Sequence, residues 1–275
     1  MSLIKIASFS AGNSGGNPAG VYIAEHHPSV ADMRKIAADV GYSETAFAEP
    51  HEQGWRVRYF SPESEVPFCG HATIALGAAL AKERGAGVYT LVLNESVITV
   101  EGFVEAGKYS AALQSPETHS SRASRSVVSK ALALFGYSQD DLDLRIPPAF
   151  ANGGANHLVI ALKSRPSLSS MHYDLDSGRK FMNAEQLVTV LFAYSESSQL
   201  FHTRNPFASG GVYEDPATGA ATAAFAGYLR DIAWPHGGAI NIVQGEDMGS
   251  RSLIHAEFDD NPGASIRVSG EVRFI

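Results

Sequence analysis

The chain has one cysteine, Cys69, in 275 residues. A single thiol cannot close an intrachain disulfide, and the Cys-rich zinc sites that need several thiolates are excluded. So sparing a use of cysteine fits a reducing compartment, and a cytoplasmic location is expected. Long apolar runs are also missing. No stretch approaches the ~20 residues that span a bilayer. The opening MSLIKIASFSAG has no apolar core ahead of a cleavage site, so neither a signal peptide nor a membrane partner is expected. Positive charge is scarce: 21 Lys and Arg stand against 29 Asp and Glu, a net charge of −8. With no basic run to offset this, nucleic acid is not an expected partner. The glycine-rich loop at 12–20 (GNSGGNPAG) lacks the Gly-Lys-Ser/Thr that would make it a P-loop. What remains is a globular chain, 44% hydrophobic and 18% charged, long enough for two ordinary domains.

One stretch is used twice. Residues 65–80 read EVPFCGHATIALGAAL, and residues 214–229 read EDPATGAATAAFAGYL. A shift of 149 positions aligns Glu65 with Glu214, Pro67 with Pro216, Gly70 with Gly219 and Thr73 with Thr222 without a gap. A repeat this far apart predicts two similar half-chains, since solenoid periods are much shorter. Each copy places an acid and a proline before a glycine and a small-residue run. Proline holds its predecessor extended, so the helix starts after it. The first turn of such a helix leaves backbone N–H groups unpaired at the positive end of the macrodipole, where a carboxylate or phosphate can sit. Small residues on nearly all sides predict that both helices are buried.

Around these helices the pattern predicts strands at 3–9 and 21–24, a helix capped by Ser29 and ended by Gly41, and strands at 45–48 and 55–60. The first central helix is expected over 70–84, with strands at 89–93, 97–101 and 108–112 after it. The polar stretch 115–126 reads as a linker between an N-terminal half (1–116) and a C-terminal half (124–264), with 265–275 able to join the first half. Further helices are expected at 127–135 and 183–191, and strands near 199–203, 239–244, 252–258 and 265–275. Strands mixed with two kinds of helix predict an α+β fold.

Four places carry candidate chemistry. Glu44, in GYSETAF (41–47), is a carboxylate among apolar neighbours, a setting suited to proton transfer; the alternative is a partner for Arg56 or Arg58. His71 sits at a helix start, where a neutral, hydrogen-bonding imidazole is expected. Its only nearby ligand in sequence is Cys69, so no metal is expected there. Asp215, with Glu214, precedes the second helix, where carboxylates commonly cap. Gly70 and Gly219 present the N–H groups of the two helix starts. Cys69 is a nucleophile favoured by a helix start or a small buried residue, and Thr218 stands at its place in the second copy.

The segments GGNPAGV (15–21), GYSETAF (41–47), RVRYFSPESEVPFCGHAT (56–73), EDPATGAA (214–221), QGEDMGSRS (244–252) and VSGEV (268–272) resemble the phenazine-biosynthesis PhzF-like family, in order and over nearly the whole chain. That family is similar in fold to diaminopimelate epimerase. The resemblance implies two pseudo-symmetric domains, each a curved mixed sheet wrapped around a central helix, with a site in the cleft between them. It implies Glu44 as proton shuttle, His71 and Asp215 as catalytic residues that orient the substrate, and Gly70 and Gly219 as donors to its carboxylate. Asn17 and Ala220 complete the expected substrate-binding set; the phenazine isomerase has a serine where this chain has Ala220. The racemase relatives use two cysteines, and here Cys69 faces Thr218 in the alignment. The implied protein is a cofactor-independent homodimeric isomerase of a small carboxylate-bearing metabolite. The alternatives are a racemase, epimerase or lyase using Glu44 with Cys69, and a non-catalytic binding or scaffolding protein on the same fold.

Overall fold

The computed structural model describes residues 2–275. The chain forms two compact units: residues up to Gln114 together with Ser269–Ile275, and Ser115–Val268. The fold is α+β, as the mixed pattern predicts. No helix among the described residues is long and apolar enough to cross a membrane.

The first unit runs β1 (Ser2–Ser8), β2 (Asn17–Ile23), α1 (Val30–Val40), β3 (Thr45–His51), β4 (Gly54–Phe60), β5 (Glu65–Val66), α2 (Gly70–Arg84), β6 (Gly87–Val92), β7 (Val97–Glu105) and β8 (Lys108–Gln114). Strand β1 pairs antiparallel with β2, β2 parallel with β3, β3 antiparallel with β4, β4 parallel with β6, and β6 antiparallel with β7. Ser29 caps α1 by accepting from the Asp32 N–H at 3.2 Å, and left-handed Gly41 ends it. Helix α2 occupies 70–84 as expected, and every residue from His71 to Ala81 is buried. Its backbone lies hard against β7. A Cβ added to Gly102 would fall 2.5 Å from the Gly77 carbonyl oxygen and 2.8 Å from the Ala81 Cβ. Gly102→Ala must therefore part helix from strand, at an expected cost of about 1–3 kcal/mol read from urea unfolding. An unchanged midpoint would mean that the close approach is not needed.

The second unit repeats this order. It runs β9 (His119–Arg122), α3 (Arg125–Leu134), β10 (Ala149–Asn152), β11 (Asn156–Leu162), α4 (Arg165–Ser169), α5 (Leu175–Ala184), β12 (Thr189–Ser195), β13 (Leu200–Phe207), β14 (Val212–Asp215), α6 (Gly219–Asp231), β15 (Ala239–Gln244) and β16 (Ser252–Glu257); β17 (Arg267–Phe274) returns to pair with β1. The pairings from β10 to β11, β12, β13, β15 and β16 are antiparallel, parallel, antiparallel, parallel and antiparallel. This is the succession found in the first unit, so the 149-residue repeat in sequence is a repeat in topology. Buried Val128, Leu132, Ile160, Met182 and Phe192 form a core under α3 and α5.

Three expectations change. Asn17, expected in a loop, opens β2 and is buried. The stretch expected as linker contains β9, which pairs with β10. The helix expected over 183–191 is α5, which ends at Ala184; Thr189 begins β12. The apolar, β-branched run 187–192 suits a strand covered on both faces better than a helix. It lies parallel to β11 and antiparallel to β13. Helix α5 starts earlier, at Leu175, capped by Asp174, whose carboxylate accepts from the Ser177 N–H at 2.8 Å.

Fully buried His157 in β11 shares a 2.7 Å hydrogen bond between its Nδ1 and the Thr189 hydroxyl. Burial lowers its pKa to about 3, against 6.5 in the unfolded chain. Its contribution is thus complete above pH 6.5 and is lost as pH falls toward 3, because the unfolded chain takes up the proton first. Below pH 6.5 stability should fall by about 1.4 kcal/mol per pH unit from this residue. Urea unfolding at pH 7.5 and 5 should show a smaller difference in His157→Asn than in the parent. Equal differences would rule the residue out as the source.

Candidate active site

In the first unit the chemistry converges on the start of α2. Glu44 sits one residue before β3, and its carbonyl accepts from the Gly20 N–H at 3.1 Å, at the head of the parallel β2–β3 pair. Neither Arg56 nor Arg58 partners it. Arg56 donates to the Val57 and Val92 carbonyls and to Asn94, and Arg58 is taken by Glu65. Instead the Glu44 Oε2 lies 3.4 Å from His71 Nε2, with side-chain exposures of 17% and 9%. The carboxylate is sheltered yet reachable. Ser43 Oγ stands 3.4 Å from the same nitrogen, and on the other side of the ring Cys69 Sγ is 3.3 Å from Nδ1.

The backbone beneath this group is pinned from both ends. Ser8 Oγ donates to the His71 carbonyl at 2.7 Å, and Asn17 stands opposite Ser8 in the β1–β2 register. The Thr73 hydroxyl donates to the Cys69 carbonyl at 2.7 Å. Its proton being spent there, it accepts from the Tyr59 hydroxyl at 2.6 Å. Burial pushes the Tyr59 phenol well above its ordinary pKa, so it remains a neutral donor. A Cβ on Gly70 would meet nothing within 4 Å. Packing around its Cβ position therefore does not demand the glycine.

The second unit repeats the motif with different chemistry. The Thr222 N–H bonds to the Thr218 carbonyl at 3.0 Å, as the Thr73 N–H does to that of Cys69. The Asp215 carboxylate accepts from the Thr218 hydroxyl. Gln244 locks this turn: its amide nitrogen donates to the Asp215 carbonyl at 2.7 Å and the Thr218 hydroxyl at 2.9 Å, while its oxygen accepts from the Thr218 N–H at 3.1 Å. Asp215 thus has a structural duty at the start of α6, where Gly219 and Ala220 supply the first turn.

Glu44, His71 and Cys69 come together at one point, with Asn17 held opposite Ser8 and Gly70 between the thiol and the imidazole. Asp215, Gly219 and Ala220 gather at the α6 start. The ligand atoms of Glu44, Cys69 and His71 lie within 4.8 Å of one another. Cys69 is the only ligand near His71 in sequence, and the fold adds Glu44 from 27 positions away, where no spacing rule looks. Ser8, Ser43 and Gln244 were not expected to take part. Ser43 and Gln244 do lie inside the motifs GYSETAF and QGEDMGSRS, and that was the available signal. Fully buried Asn205, beside Asp215 in the β13–β14 register, has no hydrogen-bond partner for its amide among the described residues and carried no sequence signal.

The family described as phenazine biosynthesis-like protein matches residues 6–273. The trans-2,3-dihydro-3-hydroxyanthranilate isomerase of Pseudomonas aeruginosa is 30% identical over 276 residues, which cover 97% of this chain and 92% of that one. The Bacillus anthracis phenazine biosynthesis protein of the PhzF family superposes with a TM-score of 0.86 at 19% identity, covering 99% and 96% of the two chains. A probable proline racemase from Agrobacterium radiobacter gives a TM-score of 0.67 at 11% identity, over 99% and 90%.

Proposed function

This chain belongs to the phenazine biosynthesis-like protein family, and from that premise we propose that it is an isomerase that moves a proton between two carbons of a small carboxylate-bearing metabolite, with Glu44 as the carrier. The observation that carries this reading is the sheltered Glu44 carboxylate 3.4 Å from His71 Nε2 at the start of α2. A contact of that length is loose for a hydrogen bond, and catalytic contacts in free enzymes commonly tighten only around substrate. Glu44 takes the proton from one carbon and returns it to another, so the reaction consumes no cofactor. His71 hydrogen-bonds the substrate's polar groups. The first-turn N–H groups of α2 at Gly70 receive its carboxylate, and Asn17 contributes a buried amide. Asp215, Gly219 and Ala220 serve as the matching polar and backbone groups at the α6 start.

Cys69 has no proton-transfer step in this reading, whereas a racemase working with Glu44 and Cys69 would need it. Proton NMR in D₂O tests the proposal. Trans-2,3-dihydro-3-hydroxyanthranilate, the substrate in the name of the Pseudomonas relative, is tried first, followed by small amino and hydroxy acids. Deuterium is expected to enter a carbon position of one of them, and Cys69→Ser is expected to retain that exchange. Loss of exchange in Cys69→Ser would move the assignment to the thiol-dependent chemistry.

A further inference from the structure

We propose that Glu44, Cys69 and His71 form a binding site for a zinc-type divalent cation, and that the metal inhibits the site. The three side chains offer one oxygen, one sulfur and one nitrogen donor, all within 4.8 Å of one another. Zinc bonds of about 2.3 Å to sulfur and about 2.0–2.2 Å to nitrogen or oxygen, at tetrahedral angles, set donors about 3.3–3.6 Å apart. The Glu44 Oε2 to His71 Nε2 distance is already 3.4 Å. Cys69 Sγ is 4.0 Å from the same nitrogen but 3.3 Å from Nδ1, on the other side of the ring, so one ion takes all three donors only after the imidazole and the thiol turn toward it.

The donor chemistry selects the ion. A thiolate with an imidazole favours zinc over magnesium or calcium, which prefer all-oxygen shells. The thiol proton leaves to solvent as the Zn–S bond forms. The positive end of α2 stabilises the resulting thiolate. Thiolate and carboxylate then carry two negative charges against the two positive charges of the ion, while His71 binds as the neutral ring. All three side chains are largely sheltered, which limits competition from water for the ion. Three protein donors leave a fourth position for water or a substrate carboxylate. The inhibitory effect rests on the proposed function: a Glu44 oxygen held by zinc is not available to take a proton from carbon.

Binding is tested apart from activity. Purified protein is titrated calorimetrically with zinc chloride and spectroscopically with cobalt(II), comparing the parent with Cys69→Ser, His71→Gln and, as a control for surface imidazoles, His255→Gln. Expected are one zinc per chain, a sulfur-to-cobalt charge-transfer band, and affinity at least about 100-fold weaker in Cys69→Ser and His71→Gln but not in His255→Gln. The charge-transfer band of the parent reports thiolate ligation even if a variant fails to fold. No such band, or unchanged zinc affinity in a folded Cys69→Ser protein, overturns the site. Failure of the isomerase reading would leave these titrations unaffected, so the two proposals fall separately.

Discussion

Glu44→Gln is expected to remove turnover, by between about 10²- and 10⁴-fold, while ligand binding persists. The amide keeps the size and one acceptor oxygen of the carboxylate but cannot accept and return a proton. Its contacts with the rest of the protein are few: the loose approach to His71 through the side chain, and the Gly20 N–H through the backbone carbonyl, which the substitution leaves in place. The β2–β3 register should therefore hold and the folded protein should be unaltered. Deuterium exchange in D₂O reads the loss, and calorimetric binding of the same substrate reads the retained affinity. Preorganised donors at the α2 start would account for whatever rate remains. A Glu44→Gln protein that exchanges deuterium at the parent rate would remove Glu44 from the mechanism altogether.

The family resemblance put Glu44 and His71 in one site, but no local pattern in the chain pairs them. Twenty-seven residues and three strands separate them. Their meeting depends on the parallel register of β2 with β3 and on Ser8 of β1 holding the His71 carbonyl. Register is a non-local property, set by which faces are buried after the strands assemble. The local features were legible because they are written in short windows. The α2 span, its burial, the Ser29 cap and the Gly41 stop each rest on fewer than about 15 neighbouring residues. The helix expected over 183–191 failed for the complementary reason. An apolar run of that length does not reveal its period when both faces are buried, and the neighbours that bury it, β11 and β13, are distant in sequence.

The largest expected effect on stability is at a glutamate whose repetition was visible and whose reason was not. Glu65 and Glu214 align at 149 positions, and each is gripped by both arms of an arginine. Arg58 Nε donates to Glu65 Oε1 at 2.7 Å, and Arg204 Nε donates to Glu214 Oε1 at 3.0 Å, with the Nη2 groups on the second oxygens. The arginine lies seven residues before the glutamate in one unit and ten before it in the other. The three-residue turn Ala208–Gly210 and the irregularity after Pro206 take up the difference. This offset hid the pair from a gapless comparison. The environments differ sharply: side-chain exposures are 21% and 23% for Arg58 and Glu65, but 8% and 2% for Arg204 and Glu214. The Arg204 Nη1 also donates to the Ser169 and Met171 carbonyls, at 2.8 and 3.1 Å. Glu214→Ala strands that guanidinium without its anion inside the protein, at an expected cost of about 3–5 kcal/mol. Glu65→Ala exposes its arginine to water and should cost about 1 kcal/mol or less. The double variant Glu214→Leu with Arg204→Met should recover part of the loss, because no buried charge remains. Recovery stays incomplete, since the Ser169 and Met171 carbonyls lose a donor. Urea unfolding of the four proteins reads these differences. Equal costs at Glu65 and Glu214 would mean that burial does not set the value of the pair, and that the α6 start is held by the Gln244 amide alone.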